Sequence, residues 1–145
     1  MAINTSKVAV GGVVAGIVMI AVDYGVNKFW LGARSMAEMN AYKPGSADMM
    51  MAGNNAIIYP LLDIVLGLAL VWTYAAIRPR FGPGPKTAIY AAIVFWIVSC
   101  ISYYGYLSSG TMSTGLWWDY AMVGFINLVI AGNVGAAIYS ENASA

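Results

Sequence analysis

The sequence predicts an all-α integral membrane protein: four transmembrane helices in an antiparallel bundle, with one longer outer loop. Three observations carry that expectation. Of 145 residues, 61% are hydrophobic and only 9% charged, whereas a soluble domain averages roughly a quarter charged residues, so most of the surface must face something other than water. Four apolar stretches recur, each reaching the ~20 residues that cross ~30 Å of hydrocarbon as a helix. Their apolar residues run on without strict alternation, which fits helices and excludes a closed barrel. The length suits a single transmembrane domain over residues 1–145.

The first helix is expected from Val8 to about Leu31. The segment before it carries Lys7, but no convincing small-x-small cleavage pattern precedes Asp23, so the reading is a retained helix rather than a signal peptide. Gly11, Gly12, Ala15 and Gly16 open this helix, and Ala131, Gly132, Gly135 and Ala136 form a similar run in the fourth. Small residues let helix backbones approach closely where lipid supplies no hydrophobic drive. Gly12, Gly16, Gly132 and Ala136 are therefore the expected helix-packing face. It joins helix one to helix four or, on a rival reading, docks another subunit.

Residues 32–55 form the long outer connection, which holds five of the nine methionines: Met36, Met39, Met49, Met50 and Met51. Thioethers suit Cu(I), but no histidine or second cysteine accompanies them, and flexible methionines more often supply an adaptable contact surface. A partner contact is the expectation, with no metal. Ser35–Ala41 reads as a short helix lying on the membrane, Met36 and Met39 facing inward and Glu38 and Asn40 wet.

The second helix is expected over 56–77, the third over 88–107 and the fourth over 116–139. Between the second and third, Arg78-Pro79-Arg80-Phe81-Gly82-Pro83-Gly84-Pro85-Lys86 reads as a helix-stopping turn, because proline cannot continue a helix and glycine permits sharp reversal. Ser108-Ser109-Gly110-Thr111 supplies the last turn. Both short loops make their flanking helices antiparallel neighbours. Asp119 falls in the first turn of the expected fourth helix, where it complements the dipole. Neither it nor Glu141 is assigned a catalytic role.

Lys7, Arg78, Arg80 and Lys86 lie on one side, against Lys28, Arg34 and Lys43 on the other. That bias places both termini in the cytoplasm. Trp30, Trp117, Trp118, Tyr103, Tyr104 and Tyr106 then form an aromatic belt at the outer interface.

Composition excludes more chemistry than it suggests. The chain has no histidine and one cysteine, Cys100, inside an apolar run. That removes the usual haem ligand, the commonest zinc or copper ligand and the usual proton shuttle, along with the Ser/His/Asp and Cys/His arrangements. A net charge of +1 offers no basic field for nucleic acid. No catalytic residue and no resident cofactor is expected; lipid, quinone or pigment would be compatible with grooves between helices.

Asp23 and Asp63 are the outstanding polar residues, each about two turns from the outer end of its helix. An intramembrane acid costs roughly 2.5–3.5 kcal/mol on insertion scales and by default marks a functional-site hypothesis. Asn27 shares a face with Asp23, Lys28 is near enough to snorkel or pair, and Asn127 lies about three turns into helix four. Asp23, Asn27, Lys28, Asp63 and Asn127 thus form the candidate polar cluster, with Ser99 and Ser102 nearby on helix three. Two readings stand: a proton- or cation-linked site, and a structural clamp in which Asp23 pairs with Lys28 or Asn127 and Asp63 bonds a tyrosine hydroxyl or water.

The stretch Tyr74-Ala-Ala-Ile-Arg78-Pro79-Arg80-Phe81-Gly82-Pro83-Gly84-Pro85-Lys86-Thr87, with four spans and a glycine-rich first helix, resembles small bacterial four-helix membrane proteins without an assigned activity. The resemblance implies a bacterial inner-membrane bundle and no mechanism.

Together these readings favour a non-catalytic accessory or structural subunit of a larger bacterial membrane complex, respiratory or photosynthetic. It would contact lipids and other subunits, or its own copies, through the small-residue faces and the methionine-rich loop. The rival is a small proton- or cation-coupled transporter that uses Asp23 and Asp63.

Overall fold

The structure, a computed structural model, describes residues 3–53 and 55–140. All regular structure among them is helical: α1 (Thr5–Val26), a π-helical segment (Asn27–Leu31), α2 (Gly32–Tyr42), α3 (Ser46–Met51), α4 (Asn55–Phe81), α5 (Pro85–Ser108) and α6 (Thr114–Ile138). Four helices are long and apolar enough to cross a membrane, and they form an antiparallel bundle. Exposed aliphatic side chains such as Val10, Ile17, Val65, Val94, Ile101 and Ile126 surround it. That pattern fits a lipid-facing surface, which has no need to hide hydrocarbon. The chain is a multi-pass membrane protein.

The bundle is a square in which α1 packs on α4 and α6, while α5 packs on α4 and α6. Helices α4 and α6 meet across one diagonal, leaving the space between α1 and α5 as the wider one. The end carrying the chain termini and the α4–α5 turn is called the terminal end; the other is the loop end.

Close backbone approach explains the terminal half. A Cβ on Gly12 would lie 2.6 Å from Leu68 Cα, and one on Gly16 2.6 Å from Ile64 Cα, so both glycines of α1 face α4. Gly67 of α4 answers them, since a Cβ there would collide with the Gly12 carbonyl. The α1–α6 contact runs through Gly11 and Gly135 instead, where a Cβ on Gly11 would sit 2.7 Å from Gly135 O. Gly132 faces Leu70 of α4 and the Ala88 carbonyl of α5, and Ala136 is buried in the same core. The expected packing residues are all interior, but Gly12 and Gly16 serve α4 rather than α6. Sequence alone could not choose between two equally apolar partners.

The outer connection is more ordered than a loop. Helix α1 runs on through the π segment into α2, giving a continuous 38-residue helix from Thr5 to Tyr42, roughly 57 Å at 1.5 Å per residue. That exceeds the ~30 Å of hydrocarbon, so α2 extends beyond the spanning part. The expected surface helix over Ser35–Ala41 is thus part of α2, continuous with the first span. Pro79 lies inside α4 rather than ending it, and the reversal occurs at Gly82 and Gly84, both at positive φ. Thr87 Oγ1 closes the turn by donating to Gly82 O at 2.7 Å. Helix α6 starts at Thr114, with Ser113 as N-cap, so Asp119 falls in its second turn and not its first. Glu141 lies outside the described residues.

Candidate functional site

A cavity of about 190 Å³ lies toward the loop end of the wide diagonal, bounded by α1, the π segment, α4, α5 and α6. Asp23 and Asn27 approach it from the first span, Asp63 from α4, Ser99, Cys100 and Tyr103 from α5, and Trp117, Tyr120 and Asn127 from α6. Trp96 completes the aromatic wall. Among the described residues, no Lys or Arg lines it.

Four of the five expected cluster residues therefore meet here. Asn127 donates from Nδ2 to Asp23 Oδ1 at 2.8 Å and to the Met19 carbonyl at 3.4 Å, tying α6 to α1. Asn27 donates from Nδ2 to the Asp23 carbonyl, and its Oδ1 accepts from Tyr120 O–H at 3.0 Å. Asp63 lines the same cavity as Asp23. Lys28 is the exception. Its ammonium turns outward, donates to Tyr24 O–H at 2.9 Å and lies over the Tyr24 and Phe29 rings. Asp23 is thus paired with Asn127 and not with Lys28, and Ser102 bonds back to Val98 O on an exposed face.

Two polar atoms at the cavity residues lack partners among the described residues. Asn127 is 5% exposed, and its Oδ1 accepts no hydrogen bond. Trp117 Nε1 is also buried without an acceptor. A buried polar group left unmade costs about 1–3 kcal/mol, so such atoms call for a ligand or water. Trp96 differs: its Nε1 donates to Ala121 O at 2.8 Å, which fixes the indole as a wall. Tyr103 and Tyr120 stack with centroids 6.0 Å apart and planes 8° apart.

The π segment explains how Asn27 reaches the site. Its closing bond runs from Gly32 N–H to Asn27 O, five residues back. A Cβ on Gly32 would collide with that same carbonyl, so glycine there permits the wider turn. Such π turns add a residue to a helix and re-aim the side chains around it. Pro60, inside α4 and three residues before Asp63, also removes one N–H from the helical ladder beside the cavity.

A polar latch closes the loop end. Glu38 of α2 accepts from Ser113 N–H and Ser113 O–H, both at 2.7 Å, and from Arg34 Nε at 3.1 Å. Arg34 also donates from Nη1 to Asp119 Oδ2 at 2.8 Å and from Nη2 to Ser113 Oγ at 3.2 Å. This four-residue network joins α2 to the start of α6. The sequence reading did not find it, nor Trp96 and Tyr120 in the cavity wall. The i, i+4 spacing of Arg34 and Glu38 was a visible signal, whereas their bonds to residues some eighty positions away were not.

Comparison with protein-family models, curated proteins and solved structures finds no match to this chain.

Proposed function

We propose that the protein is a small membrane carrier that binds a cation at Asp23 and Asp63 in exchange for a proton. One observation carries the reading: two carboxylates share a cavity within the bundle that no cationic side chain among the described residues lines. Charge at that depth is costly without compensation, and like charges in one cavity disfavour each other. The balancing charge then has to come from outside, as a proton on the acid or as a cation beside the carboxylate. Asp63 is the exchangeable partner, because Asp23 is already bonded to Asn127. The Asn127 bond engages Asp23 and leaves Asp63 for exchange.

The test is lumenal pH in proteoliposomes loaded with a pH-sensitive dye, during concentration jumps of sodium, potassium and ethylammonium chloride. At least one cation should evoke a lumenal pH change, above that of empty vesicles, that Asp63→Asn abolishes while the variant still elutes as a folded species. Identical pH changes in wild type and Asp63→Asn, or none above empty vesicles with any cation, would remove the reading.

An accessory-subunit role is a second reading, supported by the α2–α3 projection, which exposes Met36, Tyr42, Met49 and Met50. The small-residue faces give it no support, since α1, α4, α5 and α6 cover them with one another. Copurification from native membranes in mild detergent would favour this role if a constant partner appears; a solitary, monodisperse chain would count against it. The setting proposed for either role is the bacterial inner membrane with both termini cytoplasmic, which the Lys and Arg bias supports. A periplasm-active reporter fused at the C-terminus should be silent there.

A further inference from the structure

We infer that the cavity takes a small primary or secondary organic ammonium ion with an apolar body, rather than an inorganic cation. This rests on the carrier reading above and names the class of solute. Volume is the first argument. About 190 Å³ exceeds a cavity of about 150 Å³ that accepts benzene, and far exceeds the ~30 Å³ share of one water, so a bare metal ion would leave most of it unfilled.

The walls supply the second argument. Tyr103, Trp117 and Tyr120 line the same space as Asp63, and aromatic faces attract organic cations while packing against their hydrocarbon. Hard metal ions instead want six or more oxygen ligands, and among the described residues no three His, Cys, Asp or Glu side chains cluster to hold one.

The third argument concerns hydrogen atoms. Asn127 Oδ1 is buried without a donor, and it can be satisfied by an N–H but not by a quaternary ammonium. An ammonium N–H could bond Asn127 Oδ1 while the positive charge faces Asp63. Binding then releases the Asp63 proton to solvent, and the cavity keeps its net charge. Trp117 Nε1 remains as a donor for a hydroxyl or ether on the solute.

Calorimetric titration of the full chain in nanodiscs tests this, with phenethylammonium, trimethylphenethylammonium, 2-phenylethanol, sodium and calcium as probes. Phenethylammonium should bind at least tenfold more tightly than each of the others, with an observed heat that varies with buffer ionisation enthalpy as release of one proton requires. Asp63→Asn should weaken it at least tenfold. Gly105→Ala, outside the cavity lining, should change it less than threefold. Sodium or calcium binding as tightly, in an Asp63-dependent way, overturns the solute class and leaves the carrier reading standing. Equal affinity for the quaternary probe overturns the role of Asn127 and with it the primary or secondary class. If no probe gives Asp63-dependent heat, both readings fail. The wild-type series decides the class even if Asp63→Asn does not fold.

Discussion

The terminal half of the bundle and the loop half are built on opposite plans from the same helices. In the terminal half, Gly11, Gly12, Gly16, Gly67 and Gly135 bring backbones into contact, and Ala15, Ala88, Ala91, Ala92 and Ala131 fill the remainder at 0–1% exposure. In the loop half, glycines such as Gly25, Gly105 and Gly124 have nothing within 4 Å of a would-be Cβ, and tryptophans, tyrosines and acids surround a cavity. Small residues give close, dry association in lipid. Large and polar ones hold helices apart and leave room for a solute. One end of the bundle is thus closed by backbone contact, and the other stands open around a cavity.

Tyr74 and Tyr139 reinforce the base. They meet edge to face at 6.0 Å, Tyr74 O–H accepts from Gly84 N–H, and Asn4 bonds both Tyr139 and Ser140. The first span, the last span and the α4–α5 turn are therefore pinned together at one end. At the other end the Glu38–Ser113–Arg34–Asp119 network fastens α2 to α6, and it is partly solvent-exposed.

Substitutions that probe this contrast rank as follows. Gly12→Val should be the most damaging, because its side chain would strike the Leu68 backbone; overpacking costs typically 1–3 kcal/mol and sometimes more, and the expected readout is loss of monodisperse protein after extraction. Asn127→Leu comes next. It removes the bond to Asp23 and leaves that carboxylate without its partner, at about 1–3 kcal/mol, measurable by unfolding in mixed micelles. Arg34→Ala should cost no more than about 1 kcal/mol, as exposed ion pairs do. Its signature is local: faster amide exchange over Gly32–Tyr42 with the terminal half unchanged. Gly105→Ala should be the mildest and in the opposite direction, a gain of roughly 0.5–1 kcal/mol from helix propensity. If Gly105→Ala damages the protein as Gly12→Val does, the two halves are not built differently.

Much of this architecture is legible in the residues. Four apolar runs define the spans, and the acids Asp23 and Asp63 with Asn27 and Asn127 point to one shared depth. What could not be read is which helix each small residue serves. Gly12 and Gly16 share a face that fits either neighbour, and only their register with Gly67 makes α4 the partner. The π segment also escaped, because Asn27-Lys28-Phe29-Trp30-Leu31 looks like ordinary helix; the permissive feature is the missing Cβ of Gly32, one residue beyond. Of the two expectations for Lys28, pairing with an acid or snorkelling outward, the structure takes the second. Helical spacing puts it near Asp23 in sequence, yet its long stem carries the ammonium outward to Tyr24. Pro79 shows that proline near a helix end need not stop it: α4 runs on to Phe81, and reversal waits for Gly82 and Gly84.

On the carrier reading, Asp63 holds an exchangeable counter-charge while Asp23 is held by Asn127. Infrared difference spectroscopy on membrane-reconstituted protein, with and without phenethylammonium, tests this. The ammonium should remove a protonated-carboxyl C=O band, Asp63→Asn should abolish this difference, and Gly105→Ala should leave it intact. An unchanged carboxyl region on adding the ammonium, or a band loss that persists in Asp63→Asn, would contradict it.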